Sequence, residues 1–148
     1  MIKTIVTYAV FVAAVVVIGA AIGITTVPGE WYATLVKPWF SPPNWVFGPV
    51  WTVLYILIGC VGARKWLYGG AVGLWWGQMA LNFLWSPVFF AAHQPLLALL
   101  VIICMWVLIA LFIRREWTAD RLSAVMFVPY LAWVSLATAL NAAIVVLN

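Results

Sequence analysis

Trp51 and Tyr55 stand one helical turn apart, and Trp133, Ala137 and Asn141 repeat that four-residue spacing farther along the chain. Gln78, Asn82 and Ser86 draw a third stripe at the same interval. Residues four apart share a helix face, so each set presents aromatic or amide groups in one direction. Indole faces stack on planar conjugated molecules, and electron-rich indoles can be oxidised by a photoexcited one. An amide beside them would orient such a ligand in an otherwise apolar cavity. The plainer alternative has Asn82 and Asn141 bonding to neighbouring helices.

The missing groups narrow the chemistry. Glu30, Glu116 and Asp120 are the only acids; all three lie outside the predicted spans, and no Lys or Arg lies mid-span. Ion-coupled transporters carry such a residue on their pathway, which argues against a coupled pump. Paired-carboxylate and metal-dependent hydrolysis lack their ligands. His93 is the sole histidine, leaving at most one axial contact to a heme iron and no multi-histidine metal site in one chain. Cys60 and Cys104 lie in apolar runs without CxxC spacing and read as small buried residues.

The elements that must position these groups belong to a membrane protein. The 148 residues are 68% hydrophobic and 7% charged, with a mean hydropathy of +1.18. A water-soluble domain cannot hide that much apolar surface. The pattern predicts a single all-α domain over 1–148, a bundle of five transmembrane helices at about 5–24, 46–63, 70–92, 96–113 and 122–147. The first run has a cleaved leader as its rival, since Lys3 precedes it and Gly19-Ala20-Ala21 are small, but it is longer than a leader's apolar core. Thr118 or Asp120 is available to cap the last helix. Pro87 and Pro129 predict local kinks.

Between the first two spans, Trp31–Tyr55 holds four prolines among Trp31, Trp39, Trp45 and Trp51. Lys37-Pro38 and Ser41-Pro42-Pro43 forbid a continuous helix. A short helical turn around Trp31–Val36, a stiff corner and a new helix are expected, forming a lid or binding wall. Lys3, Arg64, Lys65, Arg114, Arg115 and Arg121 fall at one end of the spans and Lys37 alone at the other. That asymmetry puts the N-terminus and the 2–3 and 4–5 connections in the cytoplasm, with the aromatic loop and Asn148 opposite. The scattered cations suit topology better than phosphate binding, so no nucleic-acid partner is expected. Gly69, Gly73 and Gly77 repeat a GxxxG spacing at the start of the third span and mark it as the candidate homodimer face.

The residues Trp31-Tyr32, Lys37-Pro38-Trp39, Pro42-Pro43, Pro49-Val50-Trp51-Thr52 and Tyr55 carry a resemblance, as do Asn82, Trp85, Pro87 and Phe89-Phe90. It continues through Pro129-Tyr130-Leu131-Ala132-Trp133 to Ala137-Thr138 and Asn141. In this order and spacing, over nearly the whole chain, the sequence resembles the tryptophan-rich sensory protein family, TspO or translocator protein. The resemblance implies a five-helix bundle that dimerises. It also implies binding of porphyrins, and in some members cholesterol and isoquinoline- or benzodiazepine-type drugs, beneath the first loop. Trp31, Tyr32, Trp51, Asn82, Trp133, Ala137 and Leu140 would line that pocket, joined here by Tyr55. The expected function is a receptor or sensor of tetrapyrroles that regulates tetrapyrrole or stress responses and needs no cofactor. The alternatives are light-dependent porphyrin degradation, with Trp51 and Trp133 catalytic, and facilitated passage of tetrapyrrole or cholesterol. The family's sterol-recognition segment needs a Tyr followed by Lys or Arg, and 142–148 offers neither. Lys65, Tyr68 and Val72 satisfy only the weaker reversed pattern. Lys37 reads either as a partner for a porphyrin propionate or as a surface lysine.

Overall fold

A computed structural model describes the chain from Met1 to Asn148, and it is all-helical. The first helix, α1 (Ile2–Thr25), is apolar almost throughout and stops where Pro28-Gly29 cannot continue it. A five-residue helix, α2 (Glu30–Thr34), follows within the proline-rich connection. Leu35 then turns extended at φ −70°, ψ 141°, and Pro43 sits at φ −57°, ψ 144°. These angles are those of polyproline II. The next helix, α3 (Asn44–Tyr68), absorbs Pro49 just past its first turn.

Gly69 and Gly70, at φ 74° and 103°, end α3 in the left-handed region that glycine alone enters without strain. They delay the next helix, α4, to Val72–Ser86. The expected third span is therefore not one α-helix beginning at residue 70. Pro87 has no N–H to continue the ladder, and Pro87–Ala91 winds instead as a π-helical turn closed by Ala92 N–H to the Pro87 carbonyl at 2.9 Å. His93 reverses the chain at φ 53°. The last two helices are α5 (Pro95–Ala119), with proline in its first turn, and α6 (Arg121–Leu147). Asp120 joins them and caps α6 through Ser123 N–H. Counting α2, there are six α-helices rather than five. Four of them (α1, α3, α5 and α6) are long and apolar enough to cross a membrane.

The long helices form a ring in the order α1, α3, α6, α5, α4, with α4 returning to α1. Its core includes Leu54, Ile58, Trp75, Met105, Phe127 and Tyr130. Glycines close the tightest crossing: a Cβ on Gly59 would lie 2.6 Å from Val12 Cα, and one on Gly19 would enter the Tyr55 ring. Only 33 of 148 residues are buried, so a chain this apolar leaves many of its hydrophobic side chains exposed. Cys104 is among the outward-facing residues, contrary to its expected burial. Lipid, not water, is the solvent that suits such a surface.

At one end of the ring, charges are internal. Lys65 Nζ donates to Glu116 Oε2 at 2.7 Å, and both side chains are buried. Glu116 Oε1 accepts from Ala71 N–H, and Lys65 also reaches Asp120 at 3.2 Å. Sequence reading placed Glu116 outside the spans and Lys65 beyond a helix end; both lie within α5 and α3 and face inward. Each neutralises the other, which is what makes burial tolerable.

Candidate functional site

The aromatic stripe of α3, the amide stripe of α4 and the aromatic face of α6 converge where these helices meet. On α3, Trp51 stacks on Tyr55 with centroids 5.3 Å apart and meets Tyr130 edge-on at 6.5 Å. Tyr55 Oη donates to Asn82 Oδ1 at 3.2 Å, and Asn82 Nδ2 donates to Tyr130 Oη at 2.7 Å. Tyr130 Oη donates to Gln78 Oε1 at 2.7 Å, and Gln78 Nε2 donates to the Trp75 carbonyl. Each side-chain oxygen and nitrogen of Tyr55, Asn82, Tyr130 and Gln78 has a protein partner in this network, as burial requires. The amide of Asn141 is equally committed, accepting from Trp85 Nε1 at 3.1 Å and donating to the Pro95 carbonyl at 2.8 Å. Both asparagines thus bridge neighbouring helices.

Trp133 differs. The buried indole N–H groups of Trp75 and Trp85 donate to Ile58 O and Asn141 Oδ1. Trp133 Nε1 is buried with no acceptor, alone among the buried side-chain nitrogens and oxygens. Its ring meets Phe47 edge-on at 5.6 Å. It lines an open groove of about 540 Å³ between α3 and α6, with Pro49, Val50, Val53, Leu54, Pro129, Ala132 and Leu136. Both in-helix prolines therefore border one groove.

The predicted site residues fall into two groups. Trp51, Tyr55, Trp133 and Ala137 belong to the main core or pack against it, as Asn82 does through its hydrogen bonds. Trp31 and Tyr32 belong to a second cluster built on the π turn. There Trp31 stacks on His93 at 4.4 Å and Tyr32 meets Phe90 edge-on at 5.3 Å. Trp85 touches both clusters. Leu140 is buried on α6. No ring pairing joins Trp51 to Trp133 or either of them to Trp31. Lys37 Nζ lies 4.6 Å over the Tyr32 ring and donates to the Leu35 carbonyl, which holds it on the connection. No group of three or more His, Cys, Asp or Glu side chains gathers as a metal site.

Tyr130 is the residue that sequence reading passed over: it is the hub that joins three helices. Its signal was its place one turn from Trp133 on a helix already carrying Asn141. The glycines separate as well. Gly69 lies in the turn after α3, and Gly77 faces Leu108 of α5 within the same chain. Only Gly73 of the three is both helical and open. The expected three-glycine seam is therefore not a single helix face.

An all-helical fold with several membrane-length apolar helices defines a small integral membrane protein. Residues 10–147 match the TspO/MBR family, and the chain belongs to it. It is similar to a tryptophan-rich sensory protein of Cereibacter sphaeroides, 40% identical over 125 residues, 82% of this chain and 79% of that one. Protein CrtK of Rhodobacter capsulatus is 39% identical over 128 residues, covering 82% and 80%. The human translocator protein is 37% identical over 135 residues, covering 84% and 80%.

Proposed function

We propose that the protein is a membrane receptor for planar apolar ligands, porphyrins above all, held at the α3–α6 groove under the aromatic connection. The observation that carries this reading is the unpartnered Nε1–H, buried within the protein, of Trp133, a residue that lines that groove. A buried donor left unmade costs ~1–3 kcal/mol, which a ligand oxygen meeting it would recover. A volume of about 540 Å³ falls within the ordinary range for small-molecule sites. The names of its relatives, sensory protein and translocator protein, favour ligand recognition as the role.

In this reading α4 and the π turn, 15 and 5 residues long, together make a fifth crossing of about 30 Å at ~1.5 Å per residue. The end rich in Lys and Arg faces the cytoplasm, and the aromatic connection faces the opposite side. Self-association uses the open face of α4 around Gly73. Trp51, in ring contact with Tyr55 and Tyr130, favours light-dependent porphyrin oxidation as the second reading.

Titration of the detergent-purified protein with protoporphyrin IX tests the proposal, following tryptophan fluorescence and pigment absorbance in darkness and then in light. Saturable quenching with stable absorbance supports a receptor. Saturable quenching with bleaching faster than that of free pigment favours the oxidative reading. Quenching that never saturates overturns both.

A further inference from the structure

We propose that Asn148 is a positioning residue that latches the aromatic connection to the end of α6, and so sets how fast ligand enters and leaves the groove. This rests on the receptor reading for its ligand consequences, though not for the latch itself.

The Asn148 side-chain amide grips one backbone residue from both sides. Its Oδ1 accepts from Val36 N–H at 2.9 Å, and its Nδ2 donates to the Val36 carbonyl at 3.0 Å. The same Nδ2 donates to the Ile144 carbonyl at 2.9 Å, which fixes the amide on the end of α6 before Val36 arrives. Asn148 thus acts as a one-residue strand edge.

From Val27 to Pro43, these two are the only hydrogen bonds to a distant element; the others, such as Ala33 N–H to Gly29 O and Ser41 N–H to Pro38 O, are local. At its start the connection is anchored by Thr26 Oγ1 and Ser86 Oγ, 2.6 Å apart. Its α2 helix rests on the π turn and His93 through apolar packing and ring contacts, Trp31 on His93 and Tyr32 on Phe89 and Phe90, without a hydrogen bond. Ring contacts tolerate sliding, whereas a two-point amide grip is directional. The amide therefore fixes where the connection closes. Its exposed position keeps the grip weak enough to open, because water competes for both bonds.

The test is hydrogen–deuterium exchange on Asn148→Ala in lipid nanodiscs, without ligand. Loss of two net hydrogen bonds should speed exchange at the Ala33 and Leu35 amides about tenfold while α3 and α6 keep their protection. Unchanged exchange at those amides overturns the latch. With protoporphyrin IX, the variant should speed both uptake and release and leave Kd nearly unmoved, as a gate does and a lost ligand contact does not. A weakened Kd with unchanged rates of uptake overturns it too. Should wild-type protein fail to bind porphyrin, the receptor reading falls and the exchange result still decides the latch.

Discussion

Lys65 and Glu116, 51 positions apart in sequence, form a buried ion pair of 2.7 Å that fastens the end of α3 to the end of α5. Ala71 N–H completes the carboxylate, and Gly70 is needed beside it because a Cβ there would lie 2.6 Å from Glu116 Oε1. Removing one partner leaves an uncompensated charge. Lys65→Met or Glu116→Leu should each lower stability by about 3–5 kcal/mol. The double variant Lys65→Met/Glu116→Leu should recover much of that loss. Thermal unfolding in detergent measures all three. A double variant as unstable as the sum of the singles would contradict the pairing.

Asp120 predicts an acid limb in stability. Burial pushes its carboxyl up, but hydrogen bonds from Arg64, Ser123 and Lys65 outweigh that and hold it well below the usual carboxylate range. A depressed folded value contributes stability above the unfolded value of ~3.9 and loses it as pH falls toward the folded one. Wild type should therefore exceed Asp120→Asn in stability at pH 6, and the gap should shrink steadily below about pH 4. A gap that stays constant down to pH 3 would show that the carboxylate charge is not what stabilises the corner.

Glycine positions on the first two long helices should separate sharply. Gly59→Ala puts a methyl against the Val12 backbone, which can yield only by moving α1. Such overpacking costs about 1–3 kcal/mol. Gly23→Ala, with nothing within 4 Å, should be neutral or slightly stabilising. Equal effects at the two sites, read by thermal unfolding, would contradict the α1–α3 crossing.

Much of this architecture was legible in the sequence, and the failures have specific causes. Four long helices follow from apolar runs bounded by charges or prolines, and the connection's helix appears at Glu30–Thr34, near the turn expected around Trp31–Val36. Asp120 caps α6 as its position suggested. Gly69 was misplaced because a glycine needed for positive φ looks the same, in sequence, as one needed for close packing. Lys65 looked like a topology marker because its partner lies on another helix. The amide stripes were visible, but their role depended on Tyr130 and Trp85, whose direction no spacing reveals. The orphaned Trp133 N–H is legible only in three dimensions, since a missing acceptor leaves no trace in a sequence.

The proposed self-association offers a further check. Gly73 is the open glycine of α4, so Gly73→Leu should leave the monomer's stability nearly unchanged and reduce cross-linked dimer several-fold in nanodiscs. Gly77→Leu, which meets Leu108, should instead destabilise the monomer. Undiminished dimer in Gly73→Leu would move the interface off this face.

The most direct test of the account is a dark titration of Trp133→Phe with protoporphyrin IX beside wild type. Phenylalanine keeps an aromatic ring at this position while it removes the donor together with part of the ring area. The receptor reading predicts saturable binding in both, weakened about tenfold in the variant, the worth of one buried hydrogen bond at ~1.4 kcal/mol. Identical affinities, or no saturable binding to wild type, would contradict the claim that the unpartnered Trp133 N–H marks the ligand's place.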